Sequence, residues 1–246
     1  MDGTIYLGDA LFPFTLPFLS SLKRRGVGYT FLTNNPSSSK AGYLEKLARM
    51  GIEADESNLL TTAEVTIEYI LDNYPSAKRL YILGTPGMIS QFEAAGLCSV
   101  EEDPDLVVVS FDKTLTYERV CKAAWYIKKG LPYLATNPDR VCPTELPTVL
   151  VDCGSICAML ESATGRKPDV TFGKPDPQML LSIARRNSLP IESVAMVGDR
   201  LYTDIASGRN AGAVSILVLS GETDAAAAAA SPIKPDLVVD SIQELI

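Results

Sequence analysis

Short apolar runs, most of them closed by glycine, threonine or aspartate, alternate along this chain with stretches of helical periodicity. No other feature restricts the fold as much. Residues 27–33, 80–83, 105–111, 131–136, 194–197 and 214–219 read as strands, with shorter ones at 149–151 and 237–239. Tyr43, Leu44, Leu47 and Met50 share a helical face that stops at Gly51, with Ser37 to Ser39 as candidate caps. Thr61 or Thr62 opens a further helix bearing Val65, Tyr69 and Ile70. Residues 117–129, 155–164 and 203–211 are helical and are stopped by Gly130, Gly165 and Gly212; Pro175 and Pro177 suit the first turn of a helix carrying Met179, Leu180 and Ile183. Strands alternating with helices predict parallel α/β units. The six alanines from Ala225 to Ala230 read as a helical or loose surface segment without chemistry.

Composition excludes several classes of chemistry. There is no histidine, so no Ser-His-Asp triad, Cys-His pair or histidine metal ligand can form. Acid–base work falls to carboxylates, lysine or tyrosine, and a metal site would be oxygen-rich, which favours magnesium over zinc. The five cysteines include no C-x-x-C pair; Cys153 and Cys157 can share a helical face but point to reduced, buried thiols rather than to zinc. A net charge of −8 argues against a nucleic-acid partner. No segment has the roughly 18 apolar residues of a membrane span, and none resembles a signal peptide. No membrane partner and a cytoplasmic location are therefore expected.

Polar residues with chemical potential fall at the ends of the apolar runs. Thr33 closes one, followed by the turn signal Asn34-Asn35-Pro36. Lys174 lies between Gly173 and Pro175, which reads as loop rather than helix face. Asp199 follows 194–197 and Gly198; an acid there is costly unless it binds something. Each also has a plainer reading: Thr33 as β-propensity, Lys174 as a surface lysine, Asp204 as a helix cap, Asp2-Gly3 as a turn. In an open parallel sheet, the ends of the strands are where ligands bind.

In order, the chain carries Asp2-Gly3-Thr4, Phe31-Leu32-Thr33-Asn34-Asn35, Gly173-Lys174-Pro175 and Val197-Gly198-Asp199-Arg200-Leu201-Tyr202-Thr203-Asp204. With these it resembles the haloacid dehalogenase-like (HAD) hydrolase superfamily, in its 4-nitrophenylphosphatase or NagD-type branch. Leu83-Gly84-Thr85, Ala135-Thr136-Asn137-Pro138-Asp139 and Val218-Leu219-Ser220-Gly221-Glu222-Thr223 match as well, so the resemblance covers nearly the whole chain. It implies an α/β protein with a Rossmann-like three-layer core, a parallel sheet and an inserted α/β cap of the C2 type. The core would occupy 1–77 and 169–246 and the cap 78–168. Asn137 and Asp139 would lie near the junction, although a turn explains them almost as well.

The resemblance also implies roles. Asp2 matches the second Asp of D-x-D-G-T: general acid, then general base, with its backbone carbonyl a magnesium ligand. Thr33 and the Asn34 amide would bind the phosphoryl group, and Lys174 would offset charge on phosphate and nucleophile. Asp199 would hold Mg2+, and Asp204 a metal-bound water. The attacking Asp of the motif falls one position ahead of Met1, together with most of the family's first strand. A late start, a truncation and a non-catalytic relative that binds phosphorylated ligands each account for this. The expected activity is magnesium-dependent hydrolysis of small phosphate monoesters through an aspartyl-phosphate; nucleotide, sugar and small-acid phosphates all remain open. Caps of this type allow a homodimer. A receiver domain, which also uses Asp, Thr and Lys, would place its acidic pair first and be about half this length. Neither G-x-x-x-x-G-K-[ST] nor G-x-G-x-x-G occurs.

Overall fold

A computed structural model describes residues 1–34, 40–142 and 147–245. The expected caps Ser37 to Ser39, and the Asn35-Pro36 turn, lie outside the described residues. The chain forms two compact units, one of Met1–Thr33, Lys40–Leu60 and Lys174–Ile246, the other of Asn34–Ser39 and Thr61–Gly173.

In the first unit, strands Ala195–Gly198, Val214–Val218 and Leu237–Val239 form a parallel sheet with Val214–Val218 in the middle. Phe31–Thr33 pairs with Leu59–Thr61, and Tyr6–Leu7 with Ala10–Leu11 in an antiparallel hairpin. Among the described residues no strand joins the pair to the three-stranded sheet. Ile5, Phe18, Phe31, Leu47, Leu59, Val218 and Val239 share one apolar core, so the N-terminal turn, the helices Thr15–Arg24 and Lys40–Arg49 and the late strands pack together. Each such side chain contributes about 1.5–3 kcal/mol on burial. Gly198 ends its strand in register with Leu217 on the neighbour. Asp199 and the segment 219–223 therefore leave the sheet side by side at its C-terminal edge, the ligand-binding edge of such sheets.

The second unit holds a five-stranded parallel sheet in the order Val170–Thr171, Tyr133–Ala135, Leu106–Val109, Arg79–Leu83, Cys98–Ser99. Helices Tyr117–Lys128 and Cys153–Thr164 lay Ala123, Ile127, Ile156 and Leu160 against Tyr81, Val107 and Tyr133. Thr61 and Glu64 form a reciprocal capping box at the start of Thr62–Asn73. The buried Cys153 and Cys157 share one face, with sulfurs 3.9 Å apart, and Cys153 Sγ donates to the Val109 carbonyl. Among the described residues, no three acidic or thiol side chains gather as a metal cluster.

Four local expectations change. Residues 27–30 are not strand: Gly26 turns at φ 68° and the Val27 amide bonds back to the Leu22 carbonyl, closing the preceding helix. Pro175 and Pro177 precede their helix, which is Gln178–Arg186; the Asp176 carboxylate accepts from the Gln178 amide at its entry. The helix expected over 155–164 begins at Cys153, capped by Asp152. The one expected over 203–211 opens as a π-helical turn, Leu201–Ile205, before the α-helix Ala206–Ala211. The alanine run is a helix, Ala225–Ala230, capped by Asp224. Among the described residues no helix is long and apolar enough to cross a membrane.

Candidate active site

Two buried carboxylates stand at the C-terminal edge of the first unit's sheet. Asp199 is 5% and Asp204 4% exposed, where an ion without partners would cost several kcal/mol. Asp199 Oδ2 accepts the Glu222 amide at 2.9 Å. A Cβ added to either Gly3 or Gly221 would overlap that same carboxylate, so glycine on both sides makes its cradle. Burial raises the Asp199 pKa above the ordinary carboxylate value, the Glu222 amide opposes the rise, and Asp204 adds to it.

Asp204 lies against Gly198, where a side chain would collide with its Cβ and carboxylate. Its Oδ1 accepts Lys174 Nζ at 2.6 Å, and its Oδ2 accepts the Arg200 amide at 3.2 Å. Burial pushes its pKa up, but Lys174 and the Arg200 amide bring it below the usual carboxylate range. The π-helical turn places Asp204 beside the strand end it follows by only six residues, at Gly198.

Asp2 sits in the turn that precedes the hairpin. Its carboxylate is exposed and accepts the Gly8 amide at 3.1 Å. Met1, beside it, lies within electrostatic reach of Lys174, Asp204, Asp199 and Asp2. The Thr33 hydroxyl donates to the Tyr43 hydroxyl at 3.3 Å. In the second unit, Asn34 offers its carbonyl to Asn137 Nδ2 at 3.2 Å, and its side chain packs where a Cβ of Gly173 would be. The Asn137 amide also reaches the Asp152 carboxylate, which caps its helix through the Cys153 amide at 2.6 Å.

Sequence alone assigns no role to Ser220, Gly221 or Glu222, although their stretch matches the family. Ser220 Oγ donates to the Gly3 carbonyl at 2.8 Å, and the Glu222 carboxylate meets Arg200 Nε at 2.8 Å. Their signal is position: a Ser-Gly-Glu segment leaving an apolar strand at the ligand edge.

The donor set at this edge is hard oxygen, from the Asp199 and Asp204 carboxylates. It suits a small divalent cation held by one or two carboxylates plus phosphate and water. Both Asp204 oxygens accept, one of them from the cationic Lys174, whereas Asp199 Oδ2 accepts a neutral backbone amide.

Residues 1–98 match the model of the haloacid dehalogenase-like hydrolases, and residues 171–245 match a HAD-hydrolase-like model. The 5'-nucleotidase YutF of Bacillus subtilis is 34% identical over 246 residues, covering 100% of this chain and 95% of that protein. The solved 4-nitrophenylphosphatase of Thermotoga maritima is 46% identical with a TM-score of 0.92, covering 100% of this chain and 93% of that one. A glycerol phosphate phosphatase of Mycobacterium tuberculosis, solved in complex with magnesium, is 30% identical with a TM-score of 0.89, covering 100% of this chain and 74% of that one.

Proposed function

The chain belongs to the haloacid dehalogenase-like hydrolase superfamily, in its NagD and 4-nitrophenylphosphatase branch, and from that footing we propose a magnesium-dependent hydrolase of small phosphate monoesters. The observation that carries the metal reading is the Asp199 carboxylate, buried between Gly3 and Gly221 with the Lys174–Asp204 pair also at this edge. A buried acid inside a glycine cradle, its pKa raised by burial, is poised for a cation rather than for packing.

Asp199 would hold Mg2+ with the Asp2 carbonyl, and Asp204 would hold one of its waters. The ion would neutralise charge on the phosphoryl oxygens. Lys174 would fix Asp204 and add positive charge at the phosphate. Thr33 and the Asn34 amide would bind phosphoryl oxygens. An Asp carboxylate two positions before Asp2, in the D-x-D-G-T pattern, would attack phosphorus. Asp2 as the acid would give its proton to the departing alkoxide. As carboxylate it would then take a proton from the water that attacks the aspartyl-phosphate, releasing phosphate and restoring the nucleophile. Residues 78–168 would be the cap domain, which in such enzymes selects the leaving group. Nucleotides, sugar phosphates and small-acid phosphates fit this reading equally.

Asp199→Asn tests it. The expected result is loss of magnesium binding by titration calorimetry with the fold retained by circular dichroism. Unchanged binding would remove Asp199 from the metal site.

A further inference from the structure

The segment Ser220-Gly221-Glu222 touches both parts of the proposed metal site. Ser220 Oγ holds the Gly3 carbonyl at 2.8 Å, next to the turn that carries Asp2. Gly221 is packed so closely on Asp199 that no Cβ fits. The Glu222 amide donates to Asp199 Oδ2 at 2.9 Å. The Glu222 side chain is then tied to Arg200, the residue after Asp199, whose own amide donates to Asp204. Three consecutive residues thus refer the Asp2-Gly3 turn, Asp199 and, through Arg200, Asp204 to one another.

Resting on the metal reading above, we propose that this segment is a bracket that sets the ligand geometry, with Ser220 and Glu222 as positioning residues. The Arg200–Glu222 pair is nearly half exposed on both sides. A pair in such a place adds only about 0–1 kcal/mol to stability, so its effect lies in where it aims the Glu222 peptide. Residues 198 to 200 come from the end of one strand and 220 to 222 follow its neighbour. Two loops leaving adjacent parallel strands have no ladder beyond the strand ends, and the clasp supplies the missing cross-links. Orientation of a ligand by groups behind it typically changes metal affinity by about 10–100-fold.

The test uses the full chain and Mn2+ as probe, with bound and free ion separated by electron paramagnetic resonance. Ser220→Ala and Glu222→Ala should each weaken Mn2+ binding about tenfold, while their melting temperatures stay near that of the parent. Glu222→Gln should bind nearly as the parent does, because its amide oxygen still accepts from Arg200. Parent-like Mn2+ affinity in both alanine variants, with Asp199→Asn no longer binding, would overturn the bracket and leave the metal reading intact. Equal losses in Glu222→Gln and Glu222→Ala would overturn the Arg200 clasp. Parent-like affinity in Asp199→Asn would remove the metal reading, and the bracket with it. Ser220→Ala deletes one hydroxyl and leaves the backbone unchanged, so a folded variant keeps the test open if Glu222→Ala does not fold.

Discussion

Lys174→Met removes the cation from a buried ion pair and leaves the Asp204 carboxylate to the Arg200 amide. The pair is 2.6 Å long, and its side chains are 12% and 6% exposed. Breaking one partner of such a pair costs about 3–5 kcal/mol, because a charge stays buried without compensation. The Arg200 amide still donates to Asp204, which favours the lower end, about 3 kcal/mol. For a chain of this size that corresponds to a fall of roughly 6–12 °C in melting temperature. Read from sequence, a loop lysine would affect turnover far more than stability; the buried pair makes both losses large. The sign with pH is also fixed. Asp204 is held below its unfolded pKa of 3.8, so it contributes stability above that value that is lost as pH falls through the folded pKa. In the variant the Arg200 amide still opposes burial but Lys174 no longer does, so the Asp204 pKa moves up and less stability is lost in acid. The gap between parent and variant should therefore narrow as pH falls from neutral. Urea unfolding at several pH values measures it, and Lys174→Met with Asp204→Asn should recover most of the loss. A single variant within about 1 kcal/mol of the parent at neutral pH, the value of an exposed pair, would refute the reasoning.

Two further predictions concern single buried positions. Gly198→Ala drives a methyl into Asp204 Cβ and carboxylate, and overpacking of this kind costs about 1–3 kcal/mol; a parent-like urea midpoint would show that the turn yields. Asp152 has its pKa raised by burial, opposed by the Cys153 amide and Asn137. A raised folded pKa means stability is lost as pH rises through it. Asp152→Asn keeps an acceptor for both donors, so its stability should decline less steeply than the parent's between the ordinary carboxylate range and neutrality. Parallel pH curves for the two proteins would contradict that.

Much of this was legible because strand ends and chemistry coincide. The apolar runs before Gly84 and Gly198 mark strands, and a parallel sheet gathers the residues just past its strand ends on one edge. Cys153 and Cys157 fell on one helical face as their spacing required. Residues 27–30 misread because hydrophobicity does not reveal that the Val27 amide closes a helix. The ribbon of Val141–Cys142 with Leu150–Val151 needed a partner that no short pattern names. The pairing of Lys174 with Asp204, and the contact of Ser220 with Gly3, join residues far apart in sequence. Motifs name such residues, but only the packed core brings them within hydrogen-bond distance. The double glycine cradle of Asp199 is of this kind: Gly3 can be read as a turn that passes close to phosphate, but no motif puts it and Gly221 on either side of Asp199.

Release of 4-nitrophenol from 4-nitrophenyl phosphate tests the central claim most directly. It would be measured with and without magnesium on the 246-residue chain and on the same chain preceded by an apolar strand ending in Asp next to Met1. The expected result is magnesium-dependent turnover by the extended chain, lost on chelation, and none by the 246-residue chain although it is folded. Equal turnover by both would assign the attack to another carboxylate, and silence from a folded, metal-loaded extended chain would contradict the proposed phosphatase.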